Sequence, residues 1–135
     1  MSLLVDASAW VTLVEPGSQY RDATDALIRK GARSLGALDL TFYEIANAVG
    51  VKRGEPRAAT GLLRLVDASC QDRILSVDSD LVGSVLELAA DHDLTAYDAA
   101  YVAAARSHGW QLVSTDIRDL VSKGLAVTPD AADYP

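Results

Sequence analysis

The chain opens on Leu3-Leu4-Val5, a short continuous apolar run that stops at Asp6. A run with no polar alternation has no face to turn to water, so it predicts a strand buried on both sides. Ser8 follows as the expected N-cap of a short helix running to about Val14 and stopped by Pro16-Gly17. From Gln19 to Lys30 the apolar positions Ala23, Ala26 and Leu27 fall at helical spacing, and Gly31 ends the segment. Leu35 to Leu38 predicts a weaker strand. Thr41 to Arg53 carries Ile45, Ala48 and Val49 on one helical face and closes at Gly54. Pro56 suits the first turn of the next helix, which reaches about Cys70 with Leu62, Leu63, Leu65 and Val66 as its expected buried stripe.

The second half repeats the alternation. Ile74 to Val77 predicts a third strand, and Asp78 to Asp91 a helix with Leu81, Val85, Leu88 and Ala89 turned inward. The alanine-rich stretch from Thr95 to His108, closed by Gly109, is the strongest helical segment and leads directly into a strand at Gln111 to Ser114. A short helix from Ile117 to Lys123 and a last strand at Leu125 to Val127 complete the pattern. Strands alternating with helices imply an α/β sandwich, a central parallel sheet with helices on its faces.

In a parallel sheet the carboxyl ends of the strands share one edge with the first turns of the following helices, and ligands bind at that edge. Asp6 ends the first strand, and Asp116 follows the strand Gln111 to Ser114. Glu44 is expected in the first turn of the helix after the second strand, and Asp98 in the first turn of the helix that delivers the chain to the fourth. Four acids are thereby expected on one edge. Singly, three of them have ordinary structural readings: Thr41-x-x-Glu44 is a capping box, Thr95-x-x-Asp98 is a near relative of one, and Asp116 suits an N-cap. Asp6 has no evident local duty. Together they demand more, because two like charges ~4 Å apart repel by roughly 4 kcal/mol at an effective dielectric of ~20. A bound cation resolves the conflict, and an all-oxygen ligand set selects Mg²⁺ or Mn²⁺ over zinc.

Composition adds limits. With 135 residues, half of them apolar, and neither a repeat nor a low-complexity tract, one globular domain over residues 1–135 is expected. Asp6 interrupts the early apolar stretch, which spoils a signal-peptide core, and no run approaches the roughly 20 apolar residues of a membrane span. A soluble, cytoplasmic protein is therefore expected. The single cysteine, Cys70, has no partner for a disulfide or a thiolate metal site and reads as a buried filler. A net charge of −7 argues against a protein that coats nucleic acid non-specifically, and suits one that holds a cation or meets a basic partner.

The segments VDASAW (Val5 to Trp10), TFYEIANAV (Thr41 to Val49), LTAYDAAYVAAARSHG (Leu94 to Gly109) and LVSTD (Leu112 to Asp116) resemble PIN-domain nucleases, most of all the toxin component of VapBC toxin–antitoxin modules. The resemblance covers essentially the whole chain. It implies a PIN-like three-layer sandwich and a metal-dependent endoribonuclease that cuts single-stranded RNA to leave 5′-phosphate and 3′-hydroxyl ends. It further implies one or two divalent ions held by Asp6, Glu44, Asp98 and Asp116, with Ser8 and Thr115 as supporting hydroxyls. Asn47, one turn after Glu44, and Asp119, one turn after Asp116, are candidate outer groups. Glu44 or Asp98 would take the proton of the attacking water. A cognate antitoxin whose basic tail plugs the acidic groove, and a homodimer, are the implied partners.

Positive charge for the RNA backbone would come from Lys52, Arg53 and Arg57, or from Arg118 and Lys123, with Tyr43, Tyr97 and Tyr101 available to stack on bases. His92 and His108 each close a helix, where the dipole favours them, and carry little catalytic expectation. Trp10 and Trp110 read as core or interface. A PIN nuclease that processes RNA without an antitoxin is the nearest alternative. From a different class, a haloacid-dehalogenase-type phosphatase needs a second Asp two residues after the first, where Ser8 stands, and a receiver module needs a lysine after a late strand, where Ser114-Thr115-Asp116 offers none. A pure binding module leaves the converging carboxylates unexplained.

Overall fold

The computed structural model describes residues 2–133. Four parallel strands, β1 (Leu3–Val5), β2 (Leu35–Leu38), β3 (Ile74–Leu75) and β4 (Gln111–Val113), form a sheet in the order β3-β2-β1-β4. Leu4 lies opposite both Gly36 and Leu112, which centres β1 in the sheet. Helices α1 (Ala7–Val11), α2 (Arg21–Lys30), α3 (Asp39–Ile45), α4 (Pro56–Cys70), α5 (Ser79–His92) and α6 (Ala96–His108) flank it.

Period-two alternation along the strands creates two cores. Leu3, Val5, Leu35, Ala37 and Val113 face one layer with Trp10, Leu27, Ile45, Leu62, Val66 and Cys70. Leu4, Leu38 and Leu112 face the other, with Val85, Leu120 and the buried alanines of α6. The small side chains of α6 let that helix lie close to the sheet, and its run from Ala99 to Ala105 is buried throughout. This is the expected three-layer α/β sandwich. Gly36 is required by packing: a β-carbon there would come within 2.4 Å of the Trp110 ring and 2.9 Å of the Arg73 carbonyl.

Several boundaries differ from the sequence reading, each for a local reason. The N-cap of α1 is Asp6, whose Oδ1 accepts the Ala9 N–H at 3.1 Å, and not Ser8. Regular helix there ends at Val11, short of Val14. Tyr20 precedes α2, so Gln19 and Tyr20 stay outside the helix. Helix α3 starts at Asp39, directly from β2, and gives way to a π-helical segment, Ala46–Lys52. Strand β3 stops at Leu75 because the Val77 N–H turns to the Asp39 carboxylate, at 3.2 Å, instead of the sheet. On α4 the buried stripe is Ala59, Leu62, Val66 and Cys70, while Leu65 is 37% exposed. The expected strand at Leu125 to Val127 reduces to one parallel bridge, Val113 to Val127, since Pro129 has no N–H with which to extend it. Among the described residues no helix is long and apolar enough to cross a membrane.

Candidate active site

The strand order changes direction at β1. The chain moves from β1 to β2 on one side, and β4 returns to the other, so the crevice beyond the carboxyl ends of β1 and β4 is the switch point of the sheet. Asp6 leaves β1 there and Asp116 follows β4. The two strand ends are tied by hydroxyls: Ser8 Oγ donates to Asp6 Oδ1 at 2.6 Å, lies 3.1 Å from Ser114 Oγ, and accepts the Thr115 N–H at 3.0 Å. Ser114, fully buried, accepts the Asp116 N–H at 3.0 Å.

Ser8 is thus a bridge across the switch point. Ser114, absent from the sequence-derived site, completes it, and the Thr115 contribution is its backbone N–H. The signal for Ser114 was available, since an apolar strand interior that ends in a buried serine needs a hydroxyl partner.

Asp98 sits in the first turn of α6, as expected, and its N–H is capped by Thr95 Oγ1 at 3.1 Å. Asp116 Oδ1 accepts the Asp119 N–H at 3.1 Å, capping a π-helical turn, Ile117–Val121. Carboxylate oxygens of Asp98, Asp116 and Asp119 lie within 4.8 Å of one another. Asp119, read from the sequence as an outer group, stands inside this cluster.

Glu44 occupies the last turn of α3 and not the first, and Thr41-x-x-Glu44 is no capping box. The buried Thr41 hydroxyl instead lies 2.8 Å from the Tyr101 hydroxyl, which donates to Glu44 Oε1 at 2.6 Å. Tyr101 is 2% exposed and cannot stack on a base. Asn47 is exposed and lines a pocket of about 370 Å³ with Leu40, Tyr43, Glu44 and Tyr97.

The electrostatics reflect crowding. Burial holds the Asp6 carboxyl up at about 6 against an ordinary 3.8, with Glu44 adding to the rise and the hydroxyls of Ser114 and Ser8 and the Ala9 N–H opposing it. Asp98 is likewise pushed up to about 6, first by burial and then by the charges of Asp116, Glu44 and Asp119. Glu44 is raised by burial, against the Tyr101 hydrogen bond. An ion in six-fold oxygen coordination at ~2.1 Å would place its ligand oxygens ~3–4.2 Å apart, and three carboxylates within 4.8 Å of one another are the oxygen-only donor set such an ion takes. The residues fit a hard divalent cation.

The basic groups expected to meet RNA are partly committed. Lys123 Nζ donates to the carbonyls of His92 and Asp93 at 2.7 and 3.3 Å and reaches Asp119 at 4.0 Å. Arg53 donates to the Val14 carbonyl at 3.0 Å. Lys52, Arg57 and Arg118 are exposed. The exposed His108 packs on the half-buried Trp110 at 5.1 Å, with its Nδ1 3.0 Å from the Ala104 carbonyl of α6, and Trp10 is wholly buried in the core.

A family model described as PIN domain matches residues 3–122. Ribonuclease VapC3 of Pyrobaculum aerophilum is 37% identical over 139 aligned positions that span 96% of this chain and 100% of that protein. The crystal structure of PAE2754 from the same organism is similar with a TM-score of 0.72 and 30% identity, covering 96% of this chain and 85% of that one. Mycobacterium tuberculosis VapC20, described as a sarcin–ricin-loop-cleaving toxin, shares the fold at a TM-score of 0.75 and 21% identity over 91% of this chain and 95% of its own. With the family model spanning nearly its whole length, this chain belongs to the PIN domain family.

Proposed function

We propose that this protein is a Mg²⁺- or Mn²⁺-dependent endoribonuclease and the toxin of a type II toxin–antitoxin pair. The observation that carries the reading is the convergence of Asp98, Asp116 and Asp119 within 4.8 Å at the switch point of a PIN sheet, beside the buried Asp6 and the half-buried Glu44. Kinship with a ribonuclease over the full chain supports RNA as substrate.

In this reading the clustered Asp98, Asp116 and Asp119 would hold the cation together with Asp6, and Glu44 would complete the acidic wall. When bound there, such an ion would lower the pKa of a coordinated water and offset negative charge on the attacked phosphate. Glu44 or Asp98 would accept the proton of the attacking water; in the metal-free protein burial lifts both carboxyls above their ordinary range. Ser8 and Ser114 keep Asp6 and Asp116 at fixed separation while charge develops. Exposed Lys52, Arg57 and Arg118 meet the RNA backbone.

An acidic pocket beside an apolar groove also suits the proposed partners. Leu40, Tyr43 and Tyr97 line both the pocket at Glu44 and a groove of about 370 Å³ that continues to Val82 and Leu86. Tyr43, Leu86 and Tyr97 are 79%, 62% and 61% exposed, an apolar face on which a second copy of the chain would dock. The basic tail of an antitoxin would enter the acidic pocket.

Purified protein should cleave single-stranded RNA with Mg²⁺ or Mn²⁺ and not in chelator, and its expression alone should arrest growth while Asp6→Asn does not. Equal cleavage in chelator would remove the assignment. A neighbouring gene encoding a small protein with a DNA-binding amino end would supply the antitoxin.

A further inference from the structure

Glu44 is the acid of this site whose placement owes nothing to a helix cap or a strand end. Asp6 caps α1, Asp116 caps its π-turn, and Asp98 stands in the capped first turn of α6. Glu44 lies at the end of α3, where regular helix passes into the π-helical segment, and its recorded side-chain bond among the described residues is to Tyr101. That bond belongs to a chain of three groups, two of them buried. An ionised carboxylate only accepts, so the Tyr101 O–H points to Glu44 Oε1, and the Thr41 hydroxyl must donate to the Tyr101 oxygen. Thr41 and Tyr101 are both buried, so water does not compete.

Tyr101 is also three residues after Asp98, on the same side of α6. The chain Thr41–Tyr101–Glu44 therefore ties the end of α3 to the helix that carries Asp98. With Oε1 occupied, Oε2 remains for the pocket.

We propose that Tyr101, oriented by Thr41, is a positioning residue that fixes Glu44 against Asp98 in the acid cluster. The proposal rests on the cation-dependent reading of the site. A core tyrosine that merely satisfied its hydroxyl would affect stability alone; a positioning residue controls how well the acids act together. Outer groups of this kind typically govern metal affinity or activity by about 10–100-fold.

The test compares Tyr101→Phe and Thr41→Val with Glu44→Gln and with the double variant Tyr101→Phe/Glu44→Gln. Both single changes keep the packing shape and remove one hydroxyl. Calorimetric Mn²⁺ titration of the metal-free proteins, without RNA, should show about a tenfold weaker affinity for Tyr101→Phe and a smaller loss for Thr41→Val. Single-turnover cleavage should lose about 10–100-fold in kcat with KM for RNA changed less than about twofold. In the Glu44→Gln background the Tyr101 change should add nothing, because the two act as one unit. Wild-type Mn²⁺ affinity and kcat in Tyr101→Phe would overturn the proposal, as would an equal loss with and without the Glu44 carboxylate. If the wild-type protein cuts no RNA, the nuclease reading fails, and the Mn²⁺ titration still decides the role of Tyr101.

Discussion

Asp6→Asn should make the metal-free protein more stable at neutral pH. The wild-type carboxyl is 4% exposed and burial holds its pKa at about 6, against 3.8 when the chain is unfolded. The folded state therefore keeps a proton that the unfolded state has already released. Folding stability falls as pH rises from about 3.8 through about 6 and is flat above. The full loss from this one group is ~3 kcal/mol.

Asparagine carries no charge to desolvate, caps a helix as well as aspartate, and its oxygen can still accept from Ser8 and Ala9. Weakening the charge-assisted Ser8 bond returns about 1 kcal/mol, leaving a net gain of ~2 kcal/mol. For a chain of this length that is a rise of ~5–8 °C in Tm.

Melts in chelator from pH 4 to pH 7.5 should show the difference between the two proteins growing through about pH 6 and levelling off above it, since every other carboxylate is common to both. Added Mn²⁺ should raise the wild-type Tm and raise the variant's less. A variant that melts below wild type in chelator at pH 7.5 would refute the reasoning, because it would mean that the ionised Asp6 stabilises the empty fold.

Asp98→Asn should reduce cleavage beyond the about 10–100-fold that outer groups control, with an unchanged circular dichroism spectrum; retained activity would remove Asp98 from the site. Ser8→Ala strands the Thr115 N–H and removes a donor from Asp6, so urea unfolding should show a loss of about 1–3 kcal/mol, and a loss within about 0.5 kcal/mol would contradict the bridge. Gly36→Ala drives a β-carbon into Trp110 and the Arg73 carbonyl and should cost about 1–3 kcal/mol, visible as a lowered Tm; an unchanged Tm would show that this layer can shift.

Much of this architecture was legible in the sequence because burial on both faces writes a continuous apolar run, and Leu3 to Val5 and Leu35 to Leu38 coincide with the observed strands. The edge carrying Asp6, Asp98 and Asp116 followed from chain direction alone. What the sequence concealed were the tertiary uses of polar groups. Thr41 looks like a cap because Glu44 stands three residues later, yet its hydroxyl serves Tyr101, sixty positions away. Ser8 looks like a cap because it precedes apolar residues, yet Asp6 caps α1 and Ser8 joins two strand ends. Asp119 reads as an outer group one turn after Asp116 until the π-turn brings it into the cluster with Asp98. Local pattern locates elements well, but a hydroxyl or carboxylate with two possible partners is assigned only by the packed fold.

The central claim is that this acidic edge holds the divalent ion. Anomalous diffraction from crystals grown with Mn²⁺ at a concentration that supports cleavage tests it most directly. The account predicts a dominant peak among the carboxylates of Asp98, Asp116, Asp119 and Asp6, with metal–oxygen distances near ~2.1–2.2 Å. A crystal with full Mn²⁺ occupancy elsewhere and none between Asp98 and Asp116 would contradict it.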